Sequence, residues 1–258
     1  MIFTAIDKKI RQAFSDAAMQ YDVLTSLQKE IGRELVKKIE GHEEARYILD
    51  VGMGTGWMTN RLANLFPDAK VVGIDCAIGM LEQARKKYEG LQVIQADARQ
   101  LPFKAGTFDI VISNLAYQWV GDLAKAFCES HRLLNKNGSL CLTMFGRETL
   151  QELFASLDSV KGEKVLARRL ASREIIEAVL KKSGFYNIEI DAEMIKVHFP
   201  DMIALVKWLK DIGANVLPKD NFIGKELMFQ AQEFYQNNFS DRLGIIATFE
   251  IVWIKAKK

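Results

Sequence analysis

The sequence predicts an α/β domain in which a mostly parallel sheet carries helices on both faces. Three observations lead there. From residue 47 onward, strand-like and helix-like periods alternate, the pattern of repeated strand-helix-strand units. One strand, Ile48-Leu-Asp-Val51, runs straight into Gly52, Gly54 and Gly56, a sharp turn in which no Cβ obstructs a ligand. The length, 258 residues at 49% hydrophobic and 26% charged, fills one core and leaves no room for a second nucleotide-binding domain.

Residues 5–40 read as helical. Ile6, Ile10, Ala13, Phe14, Ala17 and Ala18 trace one apolar face until Tyr21-Asp22 interrupts it, and a second helix covers 23–39. The segment 1–40 is longer than the sheet requires and is expected to cross the mouth of the ligand crevice as a lid. The core, 41–193, places strands at 47–51, 70–74, 91–95, 108–113 and 139–145, with helices at 57–65, 78–88 and 123–134. Asn135-Lys-Asn-Gly138 reads as the turn before the fifth of these strands. Residues 145–193 are mainly helical with a strand near the end, 194–241 an insertion of two helices, and 242–258 the final edge strand. Phe249-Glu-Ile-Val-Trp-Ile254 alternates enough to join an antiparallel edge pair.

The glycine spacing narrows the ligand. A dinucleotide fingerprint, G-x-G-x-x-G, would put its third glycine at position 57, where this chain has Trp57; the third glycine is Gly56 instead. Trp57 would obstruct a pyrophosphate at the helix start, whereas a single nucleoside with a short charged tail needs no such approach. The pattern Asp50-x-Gly52-x-Gly54-x-Gly56 resembles motif I of the class I S-adenosylmethionine (SAM) methyltransferases. That resemblance places the cofactor's methionine part along the glycine loop, with Asp50 accepting from its ammonium, directly or through water. Asp75, ending the second strand, is expected to accept both ribose hydroxyls, with Cys76 beside it in the same cofactor wall. Asp97 takes the adenine amino proton while the backbone at Ala98 reads a ring nitrogen. Asn114, ending the fourth strand, faces both cofactor and acceptor.

Three further segments carry a more specific resemblance. Phe14-Ser-x-Ala-Ala-x-x-Tyr21-Asp22, Ser113-Asn-Leu-Ala-x-Gln-Trp119 and Leu209-Lys-x-Ile-Gly-Ala214 together resemble the malonyl-[acyl-carrier protein] O-methyltransferases of biotin synthesis, over nearly the whole chain. The resemblance implies a Rossmann-like class I methyltransferase fold with a seven-stranded, mostly parallel sheet and an antiparallel edge strand. It also implies methyl transfer from SAM to the free carboxylate of a malonyl thioester on acyl-carrier protein or CoA. A carboxylate is already an anion at neutral pH, its pKa being about 4, so no general base is needed. Tyr21, Asn114 and Trp119 are expected to shape the acceptor pocket. Arg147, following the fifth strand, is expected to grip one carboxylate oxygen and leave the other free to attack. Acyl-carrier proteins are acidic, so the docking face should be basic, with Arg168-Arg169, Lys181-Lys182, Lys207 and Lys210 as candidates. Two other readings stand beside this one: a SAM methyltransferase of another small acceptor, and a SAM-binding partner subunit without catalysis.

Composition limits the remaining classes. A formal charge of +2 gives no ground for nucleic acid or an anionic membrane as bulk partner. Cys76, Cys128 and Cys141 are odd in number and form no C-x-x-C pair, so neither a disulfide framework nor a metal site is expected. Of the histidines, His131 reads as structural and His42 lies in a polar loop, with His198 the third. No apolar run reaches a membrane span, and the chain is expected in the cytoplasm, as a monomer.

Overall fold

The computed structural model describes residues 4–39, 44–161, 170–214 and 224–258. Helices α1 (Ala5–Ala17), α2 (Tyr21–Leu24) and α3 (Ser26–Lys37) precede the first strand, β1 (Tyr47–Val51). There follow α4 (Trp57–Leu65), β2 (Lys70–Asp75), α5 (Ile78–Lys87), β3 (Gln92–Gln95), β4 (Phe108–Asn114), α6 (Leu123–Leu133) and β5 (Leu134–Phe145). The carboxyl-terminal part holds α7 (Gln151–Lys161), α8 (Arg173–Lys182), β6 (Tyr186–Phe199), α9 (Met202–Asp211), α10 (Lys225–Asn238), β7 (Ser240–Asp241) and β8 (Gly244–Lys257).

The strands form one sheet in the order β3-β2-β1-β4-β5-β8-β6, with the two-residue β7 attached to β8. Pairing is parallel from β3 to β5, and β8 runs antiparallel to both β5 and β6. The seven-stranded, mostly parallel sheet therefore matches the expectation, and β7 is a small addition. Alternate residues of each strand feed two cores. Ile48, Ile110, Ile112 and Cys141 point to one face, where α3, α4, α7, α9 and α10 supply Leu35, Leu62, Leu157, Leu205 and Tyr235. Leu49, Val111, Leu140 and Leu142 point to the other, against Phe127 of α6 and Leu180 of α8.

Three boundaries differ from the sequence reading. The final strand is not the edge: β8 lies between β5 and β6, and β6 takes the edge position. The reason is visible in its residues, since the run Phe249–Ile254 is buried on both faces, as an interior strand requires, while β6 is mostly exposed. The helical insertion starts at Met202 rather than near residue 194, because the ladder of β6 with β8 continues to the pair Phe199↔Ile245. Residues 135–138 do not form a turn ahead of the fifth strand. Leu134 already pairs with Phe108, the next pair is Ile110↔Ser139, and the residues between bulge out of a single strand. Among the described residues, no helix is long and apolar enough to cross a membrane.

The lid is bolted to the core along its length. Thr4 and Asp7 close a capping box at the start of α1, and Asp7 also accepts from Arg99 of the core at 3.2 Å. Gly79 admits α1 at close range, since a Cβ there would lie 2.4 Å from the Ser15 carbonyl oxygen. Asp22 accepts from Thr55 Oγ1 at 2.7 Å and from Lys87, and pairs with Lys29. Burial raises the Asp22 pKa, but the hydrogen bonds from Lys87 and Thr55 outweigh it and leave the carboxyl below its ordinary range.

Candidate active site

A crevice of about 870 Å³, its open mouth included, lies beyond the carboxyl ends of β1 and β4, where the strand order reverses. The loops that follow these strands meet closely: Gly52 sits at φ +74°, and a Cβ there would lie 2.2 Å from the Ala116 Cβ. Gly56, at φ +85°, turns the chain into α4. On the β4 side, Leu115 takes the left-handed conformation at φ +52°, fixed by its N–H donating to Thr143 Oγ1 at 3.1 Å and by Gln118 Nε2 donating to its carbonyl at 2.7 Å.

One end of the crevice is lined by Asp75, Cys76, Asp97, Ala98 and Arg99. Asp75 accepts from the N–H groups of Gly54 (2.9 Å) and Ala77 (2.8 Å), which aim its two oxygens and leave a lone pair on each for a ligand. Burial nonetheless raises its pKa above the ordinary carboxylate range. The helix cap at α5 is Ala77, so Asp75 is not tied up as that cap. Asp97 is gripped by Arg99, whose Nε and Nη2 donate to its two oxygens at 2.9 and 2.8 Å. Burial raises the Asp97 pKa, and the Arg99 bonds overcome it, holding the carboxyl below its usual range. Cys76 presents its carbonyl to Arg11 Nε and Gln95 Nε2, both at 3.1 Å, and burial pushes its thiol up to about 12.

At the other end, a second cavity is lined by Asp50, Thr55, Trp57, Gln28 and Lys29. Tyr21, Gly52, Gly54 and Asn114 line both cavities and mark their junction. Asp50 is fully buried; Thr59 Oγ1 donates to its Oδ2 at 2.6 Å, while Oδ1 has no partner among the described residues. Burial pushes its pKa up to about 7, the Thr59 bond offsetting part of that and the Asp75 charge adding to it. Asn114 is held on both sides of its amide, accepting from Thr143 Oγ1 and donating to the Gln28 carbonyl, each at 2.8 Å.

The three sequence segments singled out above converge here. Phe14 of the lid packs edge-on against Trp119 (5.3 Å) and Tyr21 (6.5 Å), and all three rings line the crevice. Gly213, at φ +80° after α9, brings the third segment within reach: a Cβ there would lie 3.0 Å from the Ala13 carbonyl oxygen. Trp208 Nε1 donates to the Leu24 carbonyl at 2.8 Å, tying α9 to the end of α2.

Of the sequence-predicted site residues, Tyr21, Asp50, Gly52, Gly54, Asp75, Cys76, Asp97, Ala98, Asn114 and Trp119 line the two cavities, and Gly56 supports their loop. Arg147 does not join them. It is exposed in the bend after β5, where its charge acts on Glu174 next to the start of α8, because Gly146 and Glu148 bond to Glu250 and turn the chain away. Among the docking candidates, Arg168-Arg169 fall outside the described residues, as does His42. Lys181 and Lys182 end α8 near His131, which packs edge-on against Phe185 at 5.1 Å, at the far end of the sheet from the crevice. Lys207 and Lys210 are exposed on α9 beside the lid, Lys207 paired with Asp211 at 2.6 Å. Sequence reasoning missed Asp7, Arg11, Arg99 and Gln28. For Gln28 a signal existed: it occupies the buried stripe of α3 with Ile31, Gly32 and Leu35, where an apolar residue is the norm.

Comparisons with known proteins place this geometry. Residues 49–142 match the family described as "Methyltransferase domain". A putative methyltransferase structure from Bacillus halodurans superposes with a TM-score of 0.60 at 21% identity, over 88% of this chain and 98% of that one. Phosphoethanolamine N-methyltransferase 2 of Haemonchus contortus, solved in complex with S-adenosyl-L-methionine, superposes with a TM-score of 0.57 at 22% identity, over 88% of this chain and 52% of that one. In sequence, the malonyl-[acyl-carrier protein] O-methyltransferase of Geobacter sulfurreducens is 35% identical over 97% of this chain and 98% of its own. On that full-length relationship, this chain belongs to the malonyl-[acyl-carrier protein] O-methyltransferase family of SAM-dependent methyltransferases.

Proposed function

We propose that the chain methylates the free carboxylate of a malonyl thioester carried on acyl-carrier protein, the step that disguises the acyl chain for elongation in biotin synthesis. The full-length match to the Geobacter protein carries this reading, and the packing of Phe14 on Trp119 in the crevice, with Gly213 against the Ala13–Phe14 backbone, supports it. The residues fit the cofactor. Asp75 presents two aimed oxygens for a ribose, and the Cβ-free Gly52 lets the glycine loop meet the Ala116 loop at the end of β4. The orphaned Oδ1 of the buried Asp50 calls for a donor such as the tail's ammonium. Bound SAM supplies a methyl group on a positively charged sulfur.

The chain's own residues then contribute alignment and dryness. Phe14 and Trp119 give the first crevice aromatic walls beside Tyr21, and Asn114, held on both sides, keeps the β4 end fixed. Tyr21 lines the junction of the two cavities, and burial, with the charges of Asp75 and Asp22, raises its pKa, so its phenol remains a hydrogen-bond donor. In this reading Tyr21 takes the part expected of Arg147: it donates to one acceptor oxygen and leaves the other to attack in line. Lys207 and Lys210 flank the lid and offer positive charge to an acidic carrier.

The experiment is a competition among acceptors. Malonyl-acyl-carrier protein, malonyl-CoA, free malonate and a simple phenol are each incubated with SAM and followed by mass and by S-adenosylhomocysteine release. Methyl ester on the malonyl thioesters, and not on the phenol, is expected. Turnover of the phenol with inert thioesters would reassign the acceptor, and binding of SAM without any turnover would point to a partner subunit.

A further inference from the structure

The second cavity holds a feature that the family assignment does not explain. Gln28 lies on α3, in the lid, at 8% exposure, and its side-chain Oε1 has no hydrogen-bond partner among the described residues. It lines the same cavity as the fully buried Asp50, whose Oδ1 is likewise without a partner there. Buried polar atoms are almost always satisfied, so two unsatisfied acceptors on residues that line one cavity call for a ligand with donors. It has at least two N–H donors, and beside a carboxylate it is cationic.

The backbone around Gln28 is fixed. Its carbonyl accepts from Asn114 Nδ2 at 2.8 Å, and one turn on, Gly32 lets the helix settle against the core, since a Cβ there would lie 3.0 Å from Trp57 and 3.1 Å from Asn114 Nδ2. Other cations at this cavity have partners already: Lys29 Nζ donates to the Asp22 carbonyl at 2.8 Å and pairs with its carboxylate. Gln28 is thus a held residue of the cavity lining whose Oε1 has no partner among the described residues.

We propose that Gln28 is a cofactor-binding residue: its Oε1, together with Asp50 Oδ1, accepts N–H bonds from the α-ammonium of the amino-acid tail of SAM. This rests on the SAM reading of the crevice and adds a ligand from the lid to it. The consequence is selectivity. Asp50 alone belongs to the core, so a nucleoside without an amino-acid tail leaves Gln28 unsatisfied and the lid less tightly held, whereas the full cofactor joins α3 to the glycine loop.

The test measures binding by calorimetry for S-adenosylhomocysteine and for its analogue lacking the amino group, on the wild-type protein, Gln28→Met and Gln28→Glu. Each protein is first checked by circular dichroism and thermal melting. Wild type should prefer the amino-bearing ligand, and Gln28→Met should lose affinity for it roughly tenfold to a hundredfold while binding the analogue nearly as before. Gln28→Glu, which keeps an acceptor, should retain the preference. An equal loss for both ligands in Gln28→Met, or no loss, overturns the proposal, and so does abolished preference in Gln28→Glu, since that would mean Nε2 faces the tail carboxylate. Should Gln28→Met fail to fold, Gln28→Leu, which also removes the acceptor, is read by the same criterion. Failure of wild-type protein to bind S-adenosylhomocysteine at all would instead remove the SAM reading itself.

Discussion

The two ends of the crevice are built differently. At the Asp75 end, the ligand-facing carboxylates are already held: Asp75 by the Gly54 and Ala77 amides, Asp97 by Arg99. At the Asp50 end, two buried acceptors, on Asp50 and Gln28, wait without partners among the described residues. The first end is a preorganised receptor made by the sheet, its loops and α1, whose Asp7 and Arg11 bond to Arg99 and the Cys76 carbonyl, and a ligand there adds bonds without repairing any deficit. The second is bordered by α2 and α3 and carries two unpartnered acceptors that a cationic ligand satisfies. Affinity for the nucleoside should therefore come from the first, and discrimination by charge from the second.

The largest effect is expected where the receptor is fixed. Asp75→Ala should weaken binding of S-adenosylhomocysteine and of adenosine alike, by about 1.5 to 3 kcal/mol, the range for hydrogen bonds to a charged group. Calorimetry showing a loss for one ligand and none for the other would break the division of labour between the two ends. At the junction the change should be catalytic. Tyr21→Phe keeps the ring packed on Phe14 and removes only the donor, so kcat/KM for the malonyl substrate should fall about tenfold while cofactor affinity stays near wild type. A matching loss of cofactor affinity would move Tyr21 into the cofactor site.

The same contrast governs what the sequence disclosed. The preorganised end is legible because strand ends and glycines fix it: β1, its glycine loop and α4 are contiguous, Asp75 ends the next strand of the same strand-helix-strand unit, and β1 and α4 fall at the residues their periodicity predicts. The Asp97–Arg99 clamp was not, since an arginine two residues past an acidic strand end has no periodic signature. The lid's contacts were less legible still. Asp7 reaches Arg99 across 92 positions and Gln28 reaches Asn114 across 86, distances over which a sequence pattern carries no geometry. The edge position expected for the final strand fails because the alternation of Phe249–Ile254 coexists with burial on both faces.

pH separates the ends further. The folded pKa of Asp50, about 7, lies above the roughly 3.9 of an unfolded chain. Between those values the folded state holds a proton that the unfolded chain has lost. Ionising Asp50 therefore withdraws stability from the ligand-free protein as pH rises toward 7. A cationic tail reverses the preference and favours the carboxylate, so binding releases a proton at acid pH. Affinity for S-adenosylhomocysteine should rise by roughly fivefold to tenfold from about pH 6 to about pH 7.5, while that for adenosine stays nearly flat. Asp50→Asn should remove the slope. A steep slope that survives in that variant would place the titrating group elsewhere in the crevice.

The smallest effect is expected at Arg147, and its smallness is informative. A guanidinium that gripped the acceptor carboxylate inside a dry site would be among the most sensitive positions in the protein, because its loss would leave a charge unpaired. The structure instead leaves Arg147 exposed in the bend after β5 and outside both cavities. An exposed cation outside the cavities is screened by solvent, so its loss leaves no buried charge unpaired. Arg147→Ala should accordingly leave kcat/KM for malonyl-acyl-carrier protein within about twofold of wild type and S-adenosylhomocysteine affinity unchanged. Measured beside Tyr21→Phe, it locates the acceptor's donor. A drop for Arg147→Ala larger than that for Tyr21→Phe would mean that the bend after β5 folds inward when the carrier docks, and that the acceptor carboxylate is held by the arginine after all.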